Sequence, residues 1–274
     1  MKHIKVLLTI ALATGTVVGL SGCETEFSTS GTPAAGRALS TSSSASAKPS
    51  KSALPPADAL KKAVQELDNT AYTFAIKQGE LTGGGRIDRA SKKAMMQMGG
   101  DVSTSLHISV AYTIIAPDLW IKADFGDDLN KEWGLDPTTW LLVDKSKVDS
   151  TAALPVDDSG APELGVTELF KDGLGEVQRT DATHFTGTVD VTVANSVLAP
   201  SDDVVTKAGA RAKAVPFTAT VDEEGRLTKF VIDGGSIAAD LAMELTFSGF
   251  GAIPPVTAPT NAVAAPDSVY KLFN

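Results

Sequence analysis

Apolar and polar residues alternate with a period of two over much of the chain that follows residue 56. The clearest case is the stretch from Leu106 to Ile114, in which almost every second residue is large and apolar. Because successive side chains of a β-strand point to opposite faces, this alternation predicts strands with one buried face. Pro117 and Asp118 separate this strand from the next apolar run, which predicts a hairpin.

The same pattern predicts most of a sheet. Three consecutive glycines, Gly83 to Gly85, are expected to turn the chain between the first two strands. The predicted strands cover residues 72–77, a second strand that ends near Asp88, and residues 94–98, 106–114, 119–123, 140–144, 185–193, 215–222, 227–233 and 241–247.

Three segments have a helical pattern instead. In the first, which follows two prolines, four apolar residues repeat at helical spacing: Ala57, Leu60, Val64 and Leu67. Shorter helices are expected over residues 162–172, ended by Gly173, and over residues 200–209. Because strands and helices do not alternate regularly, the fold class is α+β, with an antiparallel sheet of about eleven strands and a few helices on one face.

The N-terminal 22 residues predict an export signal. Lys2 and Lys5 precede an apolar run from Val6 to Leu20 that is too short for a comfortable membrane span. The sequence Leu20-Ser21-Gly22-Cys23 resembles the lipobox of bacterial lipoproteins, in which the cysteine thiol is alkylated with diacylglycerol and the signal is cut before it. That resemblance implies lipidation of Cys23 and a protein held by its lipid on the extracytoplasmic face of the cell membrane. The alternative is an uncleaved signal anchor with an incidental cysteine.

Composition divides the rest of the chain. Residues 23–56 are rich in Ser, Thr, Ala and Pro and predict a flexible tether, whereas residues 57–274 have the size of a single domain. The formal net charge is -9, and the domain has no basic cluster, which argues against a nucleic-acid partner. Cys23 is the only cysteine, so its lipidation would leave no thiol for a disulfide or for catalysis.

Few residues suggest catalysis or metal binding. His107 and His184 fall on the polar faces of predicted strands, and no catalytic triad, metal-ligand spacing or phosphate-binding loop includes them. The paired carboxylates at 127–128, 157–158 and 202–203 predict capping or solubilising groups, because the regular spacing of a calcium loop is missing. We therefore expect no enzymatic activity and no cofactor.

The order of these segments, together with the anchor, resembles the actinobacterial LppX and LprG lipoproteins and their relatives LprA and LprF, whose fold is similar to LolA and LolB. The segments that carry the resemblance are Tyr72-Thr73-Phe74, Gly85-x-x-Asp88 with Ala94-Met95, Leu119-Trp120-Ile121-Lys122, Phe185 to Asp190, Val215-Pro216-Phe217, Val221 to Leu227 and Phe247 to Gly251. In this family a strongly curved antiparallel half-barrel wraps helices on its concave face. An apolar cavity between sheet and helices accommodates acyl chains.

The resemblance implies an acylated lipid or glycolipid as ligand, carried or presented across the envelope, with an envelope transporter as a further partner. Ten residues would face the cavity: Phe74, Ile76, Ile108, Val110, Tyr112, Ile114, Phe217, Val221, Leu245 and Phe247. An ordinary packed core is the alternative for each of them. The corresponding alternative function is a non-enzymatic envelope interaction or signalling module with a closed core. The irregular stretch 144–162 is expected to hinge a lid at Asp157–Gly160, or to be a passive loop.

Overall fold

The structure of the protein, a computed structural model, describes residues 54–103, 106–148, 154–194 and 198–273. The predicted signal, Cys23 and nearly all of the predicted tether lie outside these residues. The described chain is α+β, with four α-helices and one large sheet that is not closed.

Twelve strands form the sheet within the described residues, in the order β12-β6-β5-β4-β3-β2-β1-β11-β10-β9-β8-β7. Neighbouring strands are antiparallel except β12 and β6, which are parallel, so the sheet is mixed. The strands are β1 (Tyr72–Gln78), β2 (Leu81–Asp88), β3 (Lys93–Ser103), β4 (Leu106–Ile115), β5 (Asp118–Asp124), β6 (Leu141–Leu142), β7 (Leu174–Arg179), β8 (His184–Val189), β9 (Val215–Val221), β10 (Leu227–Asp233), β11 (Ala242–Ser248) and β12 (Val263–Ala264).

The helices begin and end at residues that suit those positions. They are α1 (Pro56–Asn69), α2 (Asp127–Trp133), α3 (Val166–Asp172) and α4 (Asp202–Ala208). Pro56 occupies the first turn of α1, where a missing backbone N–H costs nothing. The Ser201 hydroxyl accepts a hydrogen bond from the Val204 N–H and caps α4. Gly173 ends α3, as the sequence predicts.

Register places alternate residues of the strands on one buried face, which we call the inner face. Phe74 pairs with Phe247, and Ile76 pairs with Leu245, so their side chains share this face. Helices α1 and α3 pack on the inner face. The Phe170 ring of α3 lies 6.2 Å from that of Phe217 and 4.7 Å from that of Phe230, between ring centroids. This aromatic cluster fixes the helices against β9 and β10.

Several predicted boundaries were wrong. Gly83 to Gly85 lie inside β2, and the turn that precedes β2 uses Gly79, whose φ of 57° suits a glycine. A Cβ at Gly85 would overlap the Met95 carbonyl oxygen, so the triplet allows close approach of neighbouring strands. The prediction of a turn at these three glycines was therefore wrong.

Other segments differ in length or type. The predicted strand 185–193 ends at Val189, and residues 191–193 form a 3₁₀ turn. The helix predicted from residue 162 begins only at Val166, because residues 162–165 are not helical. The strand predicted over 140–144 is only two residues long, whereas that over 94–98 extends to Ser103.

The sequence analysis also missed elements, and the sheet has twelve strands, not eleven. Strand β7 was missed because it is an edge strand with four exposed positions, so it lacks the alternation of a half-buried strand. Strand β12 has only two residues. Helix α2 was missed as well; its N-terminal turn contains the Asp127–Asp128 pair.

The parallel β12–β6 pair follows from the path of the C-terminal segment. After β11, residues 249–262 must pass the outer face of the strands between β11 and β6 before β12 joins the sheet edge. On this path the Gly251 N–H donates to the Ala71 carbonyl, and the Arg86 guanidinium donates to the Pro255 carbonyl at 3.1 Å. The segment therefore covers part of the outer face.

Candidate functional site

All ten residues predicted to line a cavity lie on the inner face of the sheet. Eight of them are packed tightly, with at most 8% of their surface exposed: Phe74, Ile76, Ile108, Ile114, Phe217, Val221, Leu245 and Phe247. Val110 and Tyr112 are only partly buried. The structure therefore divides the ten residues between a filled core and a less tightly covered region on β4. Their role as ligand contacts stays a prediction.

The filled part lies under the helices. Phe217 contacts Phe170 of α3 and Phe230 of β10, with the Phe217 and Phe230 ring centroids 5.5 Å apart. On α1, Leu60, Ala63, Val64 and Leu67 are all buried. Side chains of this density leave no room for a ligand without rearrangement. Phe217 is thus an ordinary core residue in this structure.

The less tightly covered region is a contiguous patch of four residues, which we call the inner patch: Leu81, Met98, Val110 and Tyr112. Each is an apolar or aromatic side chain that packs against the core but remains partly exposed. Register joins Val110 to Met98 and Met98 to Gly83, and it joins Tyr112 through Met96 to Gly85. Neither glycine has room for a Cβ, because β3 approaches β2 closely at these positions.

Tyr112 gives the clearest information about this space. Protein surrounds the phenol closely enough that burial raises its pKa to about 12, yet part of the residue's surface remains exposed. A side chain in open solvent would not have such a pKa, and a fully packed one would have no exposed surface. The hydroxyl makes no hydrogen bond among the residues that the structure describes. Tyr112 is therefore closely surrounded by protein but not completely covered.

The inner patch extends from the middle of the sheet to one end of it. Tyr112 and Val110 lie within β4, whereas Leu81 is the first residue of β2. We call this end the Leu81 end, and the opposite end, at the β2–β3 turn, the Arg89 end. Leu81 brings the inner patch to the Leu81 end, whereas Tyr112 lies three residues from the Ile115 end of β4.

Arg89 organises the other end. Its guanidinium contacts the carboxylates of Asp68 at 3.2 Å, Asp157 at 2.6 Å and Glu163 at 3.6 Å. It also donates to the Pro162 carbonyl at 3.3 Å. These contacts connect the β2–β3 turn to the last turn of α1 and to the segment that precedes α3. One arginine therefore ties three parts of the chain together.

The segment 154–165 is held rather than loose. Leu154, Val156 and Leu164 are at most 3% exposed. The Asp157 carboxylate accepts hydrogen bonds from the Ser159 and Ala161 N–H groups. The expectation of a weakly packed hinge at Asp157–Gly160 is therefore wrong for this part of the stretch, because the turn is pinned to the Arg89 end.

Glu163 is the most strongly perturbed carboxyl of this cluster. Its side chain is 9% exposed, and burial, followed by the negative charge of Glu168, raises its pKa to about 7 against the opposing effect of Arg89. For Asp157, burial also raises the pKa. Hydrogen bonds from Ser159 and Ala161 and the charge of Arg89 lower it by more, so the pKa of Asp157 lies below its usual range. The two carboxyls that share Arg89 thus titrate in different pH ranges.

Other candidate chemistry is sparse in the described part of the chain. No three His, Cys, Asp or Glu side chains in it could jointly hold a metal ion. His107 and His184 are exposed and contact Asp101 and Asp181, each at 2.9 Å. None of the described helices is long and apolar enough to cross a membrane.

Comparison with known proteins gives no relative: no family model matches the chain, and no curated protein matches it.

Sequence reasoning missed Leu81 and the two inward glycines. The Arg89 cluster carried no pattern in the sequence, because its four charged members come from distant segments. Only the folded chain brings them together.

We predict that removal of the Tyr112 hydroxyl costs little stability. Tyr112→Phe deletes a group without a partner and should change the free energy of unfolding by less than about 0.5 kcal/mol. Tyr270→Phe is the matched control, because the Tyr270 hydroxyl accepts a hydrogen bond from the Asp144 N–H at 2.9 Å. Its loss should cost about 1 kcal/mol in urea denaturation. Equal losses in the two variants would show that Tyr112 is hydrogen-bonded after all.

We also predict that Glu163 makes the fold more stable in mild acid than in mild base. Its folded pKa of about 7 exceeds the usual 4.5, so the folded state binds this proton more tightly than the unfolded state. This stabilisation is complete below pH 4.5 and is lost as the pH rises through 7, by up to about 3 kcal/mol. Urea denaturation at pH 5 and pH 8 measures it.

Glu163→Gln should remove this pH dependence, whereas Glu176→Gln, at an exposed position of β7, should keep it. An unchanged difference between pH 5 and pH 8 in Glu163→Gln would contradict the assignment.

Proposed function

We propose that the protein is a membrane-anchored lipoprotein of the LppX and LprG type, which binds an acylated envelope lipid or glycolipid on the inner face of its sheet. In this proposal the sheet is a strongly curved, LolA-like half-barrel with α1 and α3 on its concave side. The observation that carries the proposal is the partly exposed inner patch around Tyr112, beside tightly packed residues of the same face such as Ile108 and Phe74.

The physical argument concerns unfilled apolar space. Side chains that border a void lose the dispersion contacts they would make in a packed core, and water gains few hydrogen bonds there. Met98 and Val110 offer such a site only apolar atoms, and methionine adapts its shape to different neighbours. An alkyl chain would restore the contacts, at roughly 0.8 kcal/mol for each buried methylene. Binding would need no covalent step.

The unpartnered Tyr112 hydroxyl adds a polar contact. Its raised pKa keeps the phenol neutral at physiological pH, so it can donate one hydrogen bond and accept another. The ester or amide carbonyl of an acylated lipid would accept such a bond. A mostly apolar pocket with a few polar groups that orient the ligand is typical of small-molecule sites.

The anchor belongs to the same proposal. Lipidation at Cys23 would hold the domain at the membrane from which its ligand comes. One acyl chain binds a membrane only weakly, whereas two or more hold a protein firmly. The carrier would thus remain on the extracytoplasmic side of the cell membrane while its domain takes up or presents the ligand.

A closed-core envelope interaction module is the second candidate. It is favoured by the eight predicted cavity residues that the structure packs tightly, Phe217 among them. The two candidates differ in what fills the space beside Tyr112: a lipid in the first, and protein after a small rearrangement in the second.

Val110→Trp separates the two candidates. If Val110 borders real space, the indole fills it, lipid uptake falls several-fold and stability changes by less than about 1 kcal/mol. In a closed core the same change overpacks the site and costs roughly 1–3 kcal/mol. Uptake of a fluorescent acyl lipid from phosphatidylcholine vesicles and urea denaturation would be measured on the same preparation.

Two tryptophan controls bracket this result. Leu245→Trp introduces the ring into a fully buried inner-face position and should destabilise the fold, whereas Ala75→Trp is exposed and should change neither quantity. Wild-type protein that takes up no lipid, together with a destabilised Val110→Trp, would refute the carrier in favour of the closed core.

We further predict that Cys23→Ala releases the protein from the membrane and leaves the domain folded. Cys23 precedes the described domain by about thirty residues of predicted tether, so the sulfur contributes no packing. Membrane fractionation and a thermal melt of the released protein would check both parts. A variant that is exported and cleaved but still fractionates with the membrane would disprove the anchor.

A further inference from the structure

The start of α1 lies at the Leu81 end of the sheet. The last turn of α1 is fixed at the other end, where Asp68 contacts Arg89 at 3.2 Å. Earlier in the helix, the Lys61 ammonium donates to the Lys171 carbonyl, at the C-terminus of α3. Helix α3 leads directly into Leu174 at the start of β7.

Strand register shows which end of the sheet this is. Leu174 pairs with Val189, and Val189 pairs with Val215. The same end of the sheet continues through the pairs Asp233–Ala242, Met243–Gln78 and Gln78–Leu81. The chain therefore enters the domain, at Leu54 and Pro55, on the side where the inner patch reaches the sheet edge.

Apolar surface is concentrated at this end. Leu54 is 50% exposed and Val193 is 38% exposed, which makes them two of the four exposed large hydrophobic residues in the described chain. The other two are Leu142, on β6, and Val263, on the edge strand β12. Five partly buried apolar residues add to the Leu81 end: Ala59, Leu81, Leu106, Ile237 and Ala238.

The Arg89 end differs in composition. Its turns at residues 89–92, 116–117, 180–183 and 222–226 consist mainly of charged, small polar and glycine residues, and the segment after β11 adds the partly buried Phe250. None of the exposed large hydrophobic residues in the described part of the chain lies in these turns. The two ends of the sheet therefore offer different surfaces to a partner.

Charge at the Leu81 end does not favour an anionic partner. Exposed carboxylates at Glu80, Asp101 and Asp240 lie at the same end as the exposed basic residues Arg211 and Lys213. With both signs present, electrostatic attraction to anionic lipid is weak. We therefore expect this end of the sheet to bind a membrane through its apolar side chains, which does not require anionic lipid.

We propose that the Leu81 end is a docking face for the surface of the bilayer that holds the Cys23 anchor. The proposal rests on the proposed lipid anchor and carrier function. The described chain begins at this end, and the tether of about thirty residues predicted from the sequence would reach roughly 30 Å, which would keep this face nearest the membrane. Leu54, Val193 and Ile237 would enter the interfacial region, and an acyl chain could pass from the bilayer to the inner patch without crossing water.

Lipid-phase quenching tests this orientation on the full-length, lipidated protein. The anchor blocks the native thiol, so an introduced cysteine can be labelled alone with a fluorophore. Ser236→Cys, in the loop before β11, reports the Leu81 end, and Ser91→Cys, in the β2–β3 turn, reports the Arg89 end; both positions are exposed. In phosphatidylcholine vesicles with doxyl-labelled lipid, we expect at least twofold stronger quenching at position 236.

A further substitution tests the apolar contact itself. Val193→Asp, combined with the label at position 236, should reduce the quenching toward the level at position 91, whereas Val263→Asp, on the edge strand β12, should not. Equal quenching at positions 236 and 91, or stronger quenching at 91, would overturn the docking face.

Bound lipid in the same preparations, measured by native mass spectrometry, distinguishes this failure from a failure of the carrier function. Bound lipid together with equal quenching would support the carrier function and refute the docking face. Stronger quenching at position 236 without bound lipid would support the docking face and refute the carrier function.

Discussion

The inner face of the sheet is broader than the helices that pack on it, and the rest of the structure depends on this mismatch. Twelve strands at about 4.8 Å spacing extend over more than 50 Å across the sheet, whereas α1 and α3 run along the strands and each cover only about 10–12 Å of that width. Where Phe170 meets Phe217 and Phe230, the face is filled. Around Tyr112, four apolar residues stay partly exposed.

The two ends of the sheet are stabilised differently. At the Arg89 end, one guanidinium is shared by Asp68, Asp157 and Glu163, and residues 154–156 and 161–165 are buried beside them. At the Leu81 end, apolar residues such as Leu54 and Val193 are exposed to solvent. Local opening is least costly where buried apolar contacts are few. A ligand that enters at the Leu81 end would leave the charged cluster intact.

The sequence predicted the faces of the strands better than their boundaries. All ten inward-facing residues were assigned correctly to one face, because a period of two is a direct consequence of strand geometry. The turn predicted at Gly83 to Gly85 was wrong, because glycine occurs both in turns and where neighbouring strands approach closely. Edge strand β7 lacks a buried stripe and left no pattern to read.

The candidate site was predictable only in part, for physical reasons. Whether Val110 is fully buried like Ile108 or only partly buried, as in the structure, depends on what lies opposite it, and sequence periodicity holds no information about that. The Arg89 cluster likewise depends on segments that are about seventy residues apart in the chain. Its one detectable trace was the Asp157–Asp158 pair, which suggested only a solvated loop.

Native mass spectrometry of the wild-type protein, gently extracted from its own membranes, tests the central claim most directly. The account predicts a noncovalent complex with one acylated lipid, which dissociates on denaturation to leave only the covalently lipidated chain. A native mass equal to the lipidated chain alone, in a protein that also takes up no lipid from added vesicles, would contradict it.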